Sequence, residues 1–258
     1  MALFERYDCF LFDLDGVLYR GTEPIDGAPE ALRALREAGK RVAFLTNNSA
    51  RTPQAVAERL RSVGVQADAS EVETSAMATA DLLGRRGVGA AFVVGEEGIR
   101  SALAASGIAV LDGEPERADV VVVGFDTTAD YAKLRTASIL VERGAALVAT
   151  NGDGSFPAAD GTRWPGAGAL LAAIVATTDA EPEIVGKPNA PLFVAALERA
   201  GGGRPLVVGD RLDTDIAGAS ALGWDSLLVL TGIATREEAD ASPIRPTFVG
   251  EDLSVLLR

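Results

Sequence analysis

Short apolar runs recur along the chain, and between them lie segments with helical spacing. The runs CFLF, VAFLT, AFVV, VVVV, ALVAT, PLVVG and SLLVL are each four or five residues long and rich in β-branched and aromatic side chains. They do not alternate polar with apolar positions, which is the pattern of strands covered on both faces. The segments APEALRALREAG, PQAVAERLRSVG, TADYAKLRTASILVERG and APLFVAALERAGG place apolar residues three and four apart, and each ends in Gly, so each reads as an amphipathic helix with a glycine stop. Strand–helix alternation of this kind predicts an α/β fold with parallel strands joined by crossover helices.

The middle of the chain holds a complete small α/β set of its own. AAFVVG, EEGIRSALAASG, ADVVVVG, a helix and ALVAT follow one another between about Ala80 and Ala180. This predicts a second domain inserted into the first, with residues 1–79 and 181–258 forming the two halves of the core and 80–180 the insertion. The segment NGDGSFPAADGTRWPGAG is long and rich in Gly and Pro, as functional or hinge loops are.

Composition narrows the chemistry. The 258 residues include 24 basic and 37 acidic ones, a net charge of −13, which disfavours a nucleic-acid partner because phosphate backbones are bound by clustered Lys and Arg. There is no histidine, so imidazole acid–base catalysis, histidine triads and HExxH zinc sites are excluded. The one cysteine, Cys9, lies inside an apolar run and reads as a buried inert thiol. The acids in MALFERYDCFLFD do not fit a signal peptide. The longest uncharged apolar stretch, Trp164 to Thr178, is shorter than the ~20 residues that span a bilayer. A cytoplasmic protein without membrane attachment is expected.

What remains is carboxylates, Lys, hydroxyls and main-chain amides, and these gather where strands end. CFLF leads to Asp13-Leu14-Asp15-Gly16, VAFL to Thr46-Asn47-Asn48-Ser49, EIVG to Lys187-Pro188, and PLVVG to Asp210 through Asp215. Open parallel sheets bind ligands beyond the carboxyl ends of their strands, so these groups are expected on one rim. Asp13 and Asp210 offer the hard oxygen ligands that suit Mg²⁺, and a divalent cation would offset the repulsion between neighbouring acids. Thr46, the amides around Asn47, and Lys187 offer hydrogen bonds and positive charge to an oxyanion. Together they describe phosphoryl transfer. Taken singly, Asn47, Asn48 or Ser49 also fits a cap for the helix beginning near Pro53, and Asp210 to Asp215 an acidic helix start. No GxxxxGK[ST] occurs, and Gly166-Ala167-Gly168 neither follows a strand nor supplies a third glycine, so neither phosphate-loop nor dinucleotide fingerprints apply.

The four segments FLFDLDGV, FLTNN, VGKP and VVGDRLDTDI stand in the order of the four motifs of the haloacid dehalogenase-like (HAD) superfamily, which the chain resembles. GFDTTADYAKL, ALVATNGD and WPGAGALLAAI resemble its NagD-like (subclass IIA) branch, and among its members the bacterial glycerol-3-phosphate phosphatases. The resemblance implies a Rossmann-like, doubly wound parallel sheet with an inserted α/β cap domain. It implies a Mg²⁺-dependent phosphatase for small phosphorylated metabolites, with glycerol 3-phosphate the leading substrate. Sugar phosphates, phosphoglycolate, pyridoxal phosphate and nucleotide monophosphates are the alternatives.

The resemblance also implies roles. Asp13 is the nucleophile, and Asp15 protonates the leaving oxygen and then activates water. Asp13, the Asp15 carbonyl and Asp210 hold the metal. Thr46 and Asn47 hold phosphoryl oxygens, Lys187 neutralises charge, and Asp215 orients Lys187 or a metal-bound water. Asn48 and Gly16 support the site, Gly16 by allowing a tight turn. Asp126, Tyr131, Asn151 and Asp153 are expected near the leaving group, although Asp126 also fits a cap for the helix near Ala129. Gly152 departs from the proline that is common in this branch. Pairing of two copies through the cap is a further implication. A phosphomutase, or a phospho-accepting module without turnover, would use a similar set of groups.

Overall fold

The computed structural model describes residues 2–157 and 162–258. The chain divides into two compact units, the first comprising Met1–Thr46, Pro53–Glu73 and Lys187–Arg258, the second Asn47–Thr52 and Thr74–Gly186.

The first unit opens with β1 (Cys9–Phe12), the hairpin strands β2 (Tyr19–Arg20) and β3 (Glu23–Pro24), α1 (Ala28–Glu37), β4 (Arg41–Thr46), α2 (Pro53–Ser62) and β5 (Val72–Thr74). The second unit contains α3 (Ser75–Arg85), β6 (Ala90–Val94), α4 (Glu97–Ala105), β7 (Ala109–Leu111), β8 (Val120–Val123), α5 (Tyr131–Glu142), β9 (Ala146–Ala149), β10 (Ser155–Pro157), β11 (Arg163–Pro165), α6 (Ala167–Thr178) and β12 (Glu183–Ile184). The chain then returns to the first unit with α7 (Ala190–Arg199), β13 (Pro205–Gly209), a π-helical turn Leu212–Ile216 running into α8 (Ala217–Ala221), β14 (Asp225–Val229), α9 (Arg236–Ala241) and β15 (Phe248–Gly250).

In the first unit a six-stranded sheet has the order β15-β14-β13-β1-β4-β5. β1 pairs in parallel with β4 on one side and β13 on the other, Phe12 standing opposite both Phe44 and Val208. The chain builds outward from β1 in one direction, then returns to build outward in the other. The β1–β13 junction is therefore the switch point, beyond whose carboxyl ends ligands bind. All four residues of β1 are fully buried, which is why the run carries no polar face. Helix α1 starts after Gly27, held at φ +78°, with Pro29 in its first turn, and buries Ala31, Leu32 and Leu35. These join Phe10, Phe12 and Phe44 in the core, where each fully buried large side chain contributes about 2 kcal/mol.

The second unit has its own five-stranded sheet, ordered β12-β9-β8-β6-β7, with parallel pairing throughout. The EIVG segment differs from expectation. It does not extend the first unit's sheet. Glu183 and Ile184 pair with Val148 and Ala149 of β9, and the ladder continues through Val185 and Gly186, whose N–H groups donate to the carbonyls of Ala149 and Thr150. A two-residue strand carries too little pattern to reveal its partner. The Gly- and Pro-rich segment after β9 contains an antiparallel hairpin, Ser155 opposite Pro165. Residues 158–161 of that segment lie outside the described residues. Among the described residues no helix is long and apolar enough to cross a membrane.

Candidate active site

β1 delivers Asp13 to the switch point, its main-chain N–H still in the ladder and donating to Val208 O at 2.9 Å. β13, one strand away, delivers Asp210. The π-helical turn that follows brings Asp215 back, so that its Oδ2 accepts from the Arg211 N–H at 3.2 Å. Lys187, the first residue of the returning chain, reaches between them. Its ammonium lies 2.6 Å from Asp13 Oδ1 and 2.7 Å from Asp215 Oδ1. All four groups are buried, as is Thr46 at the end of β4. A buried ammonium shared by two carboxylates is favourable only with geometry this close, since each ion costs several kcal/mol to desolvate.

Glycines make room for the cluster. A Cβ at Gly16, itself at φ +78°, would collide with the Asp210 carboxylate and come within 2.9 Å of Gly232 Cα. A Cβ at Gly232 would strike the same carboxylate, and one at Gly209 would strike Asp215. The Thr231 hydroxyl donates to Gly16 O at 2.7 Å, and the Ile233 N–H donates to Asp210 Oδ2 at 2.8 Å. The loop after β14 thus fixes both the turn after Asp15 and one oxygen of Asp210.

Burial, opposed by Lys187 and reinforced by Asp215 and Asp210, pushes the Asp13 carboxyl up to about 8. Burial and Asp215 push Asp210 up to about 6, against the pull of the Ile233 N–H. Burial works against the Lys187 ammonium, but Asp13 and Asp215 outweigh it and hold its pKa above the ordinary lysine range. Charge is unbalanced: three carboxylates face one ammonium. Asp13, Asp210 and Asp215 each present an oxygen within 4.8 Å of the others, and Asp210 Oδ1 is buried without a hydrogen-bond partner among the described residues. Clustered carboxylate oxygens with an unpartnered lone pair fit a hard divalent cation such as Mg²⁺.

Asp15 is solvent-exposed and joins Tyr19 in an isolated main-chain bridge. The Gly16 N–H donates to Tyr19 O at 2.9 Å, closing a tight turn that separates the two acids: Asp13 is buried and Asp15 faces water.

The other residues singled out in the sequence lie in the second unit. Asn47 Nδ2 donates to Asp153 Oδ2 at 3.1 Å, and Asn151 Nδ2 donates to Asn47 O at 2.8 Å. Asn48 Oδ1 accepts from the Ala50 N–H at 3.0 Å, a local turn. The buried Ser49 hydroxyl accepts from Phe125 N–H at 3.2 Å. Asp126 does not cap α5. Asp130 does, accepting from Lys133 N–H at 2.7 Å, because the helix begins two residues later than its pattern suggests. The Asp126 side chain, fully buried, accepts from Lys133 Nζ at 2.6 Å and from both the N–H and the hydroxyl of Thr128. Burial raises its pKa, but these bonds outweigh that and hold it below the usual carboxylate range. Tyr131, in the first turn of α5, is 82% exposed.

Sequence reasoning missed Gly232, Ile233 and Ser75. The first two follow SLLVL, a recognised strand whose carboxyl end carries no charged residue to draw attention. Ser75 opens α3 fully buried, and its hydroxyl donates to Asn47 O at 2.8 Å, a contact with no local sequence signal.

Two family profiles match the chain: a haloacid dehalogenase-like hydrolase profile over residues 10–109 and a HAD-hydrolase-like profile over 184–256. An acid sugar phosphatase of Staphylococcus aureus is 37% identical over 253 residues, 97% of this chain and 96% of that protein. The crystal structure of a glycerol phosphate phosphatase from Mycobacterium tuberculosis in complex with magnesium superposes with a TM-score of 0.93 at 38% identity, covering 99% of this chain and 78% of that one. NagD of Escherichia coli K-12 superposes with a TM-score of 0.88 at 32% identity, over 96% and 97% of the two chains.

Proposed function

The chain belongs to the haloacid dehalogenase-like hydrolase family, in its NagD-like (subclass IIA) branch, and from that membership we propose its reaction. It is a phosphoric monoester hydrolase that uses Mg²⁺ and acts on small phosphorylated sugars and polyols. Glycerol 3-phosphate is the leading substrate. The observation that carries the reading is the buried ammonium of Lys187 set between Asp13 and Asp215, with Asp210 beside them at the carboxyl ends of β1 and β13.

Asp13 attacks phosphorus, and the bond to the ester oxygen breaks. The leaving alkoxide takes a proton from Asp15, and an aspartyl-phosphate remains on Asp13. Asp15, now ionised, takes a proton from the water that attacks the same phosphorus. Phosphate departs and Asp13 is regenerated as a carboxylate. The exposure of Asp15 suits both transfers, because it must meet a leaving group and then water. Lys187 offsets the charge that accumulates as a phosphate dianion nears Asp13, and Asp215 keeps its ammonium on that line. Thr46 offers its hydroxyl to a phosphoryl oxygen, and Asn47 follows it directly in the chain. Asp13, the Asp15 carbonyl and Asp210 would hold Mg²⁺, which would supply positive charge to the phosphoryl oxygens when bound.

A sugar phosphate is the second reading, favoured by the acid sugar phosphatase that matches almost the whole chain. Phosphate release from p-nitrophenyl phosphate with Mg²⁺ tests the mechanism: Asp13→Asn should abolish it, and undiminished turnover would refute the nucleophile. A screen of phosphorylated metabolites ranked by kcat/KM decides between polyol and sugar. Accumulation of inorganic phosphate separates hydrolysis from phosphate return to a sugar.

A further inference from the structure

Three hydrogen bonds tie Asn47 to Ser75, Asn151 and Asp153, all within its own unit. Its carbonyl accepts from the Ser75 hydroxyl and from Asn151 Nδ2, each at 2.8 Å, which occupies both lone pairs. Its carboxamide Nδ2 donates to Asp153 Oδ2 at 3.1 Å. The holders are themselves fixed. Ser75 is fully buried and Asn151 nearly so, and Asn151 Oδ1 accepts from the Asp153 N–H at 3.0 Å. Gly168 N–H, in the first turn of α6, donates to Asp153 O at 2.9 Å. Gly186 completes the enclosure: a Cβ there would press on Asn47 Oδ1 and come within 3.3 Å of Asn151 Cβ.

We propose that Ser75, Asn151 and Asp153 are positioning residues that clamp Asn47 in the conformation in which it serves the phosphoryl group, and that Asn151 and Asp153 do not select the leaving group. The inference rests on the reading above, in which Asn47 is a phosphate ligand. The physical reason is entropic. Residues 47–49 belong to no helix or strand, and an unsupported loop residue must be ordered each time phosphate binds. A carbonyl and a carboxamide tied to a helix start and to the end of β9 are ordered beforehand. The clamp therefore acts on whatever carries a phosphoryl group, free phosphate included, and is indifferent to the alcohol attached.

That indifference separates it from substrate contact. Ser75→Ala and Asp153→Ala should each raise the inhibition constant of inorganic phosphate about tenfold, the loss of one well-made hydrogen bond that organises a site. KM for p-nitrophenyl phosphate and for glycerol 3-phosphate should rise by a similar factor, leaving the ratio of their kcat/KM values within about twofold of wild type. Asp153→Asn keeps an acceptor for the Asn47 carboxamide and should restore most of the affinity. Thermal unfolding identifies variants that fail to fold, and Asp153→Asn against Asp153→Ala then carries the comparison. The clamp is overturned if Ser75→Ala and Asp153→Ala leave phosphate inhibition unchanged, or if Asp153→Ala alters the ratio between the two substrates severalfold. An inactive wild type that phosphate does not bind would remove the phosphatase reading itself, and the clamp with it. An active wild type with insensitive variants removes only the clamp.

Discussion

Lys187 Nζ and Asp13 Oδ1 stand 2.6 Å apart, although 174 positions separate them in sequence. The same ammonium holds Asp215, so one cation keeps two buried carboxylates together. Lys187→Met leaves both without it. Removing one partner of a buried ion pair costs about 3 kcal/mol or more, so the variant should unfold at a clearly lower urea concentration in the presence of a chelator, and its turnover should vanish. An unchanged urea midpoint would show that the ammonium does not offset these acids.

Asp13 and Asp210 titrate at about 8 and about 6 in the folded chain, against roughly 3.9 for an unperturbed aspartate. The folded state thus binds more protons than the unfolded state across that window. The stabilising contribution of these protons is complete below about pH 4 and is lost as pH rises through 6 and then 8. Metal-free protein should have a lower Tm at pH 8 than at pH 5, at matched ionic strength. Mg²⁺ competes with those protons, so it should raise Tm more at pH 8 than at pH 5. A metal-free Tm that climbs over this range would contradict the assignment.

Gly232 lies against Asp210 so closely that a methyl group would displace the carboxylate. Gly232→Ala should therefore weaken Mg²⁺ binding about tenfold or more, in line with the 1–3 kcal/mol typical of overpacking. The Mg²⁺ dependence of turnover measures it. Gly16→Ala should be worse, since the residue there also sits at φ +78°, where an alanine is strained.

Thr150 is fully buried, and its hydroxyl has no hydrogen-bond partner among the described residues. Thr150→Val replaces that oxygen with a methyl group and removes an unmet desolvation cost. The variant should gain about 1 kcal/mol, visible as a rise in Tm. A fall would indicate that the hydroxyl is satisfied.

Much of this site could be read from the sequence because fully buried parallel strands announce themselves as unbroken apolar runs, and the residue after each run is then at the rim. CFLF leads to Asp13, VAFL to Thr46, and PLVVG to Asp210. A partner chosen by tertiary packing leaves no such local mark. EIVG has the composition of a strand but not the length to show that β9, and not β1 or β13, is its neighbour. Asp126, expected near the leaving group, had a helix cap as its alternative reading, yet four positions on Asp130 caps the helix and Asp126 pairs with Lys133. Asn47 was legible as a loop residue after a strand. Its dependence on Ser75 was not, because a hydrogen bond across 28 positions leaves no local pattern.

The central place of β1 in its sheet has a consequence for synthesis. β1, which leads to the proposed nucleophile Asp13, is synthesised long before one of its two neighbours, which begins only at Pro205. Until Pro205–Gly209 has been translated, β1 has one open edge, and Asp210 does not stand near Asp13. The nascent protein therefore carries Asp13 before the carboxylate that stands beside it, and the open edge of β1 is exposed to mispairing while translation continues.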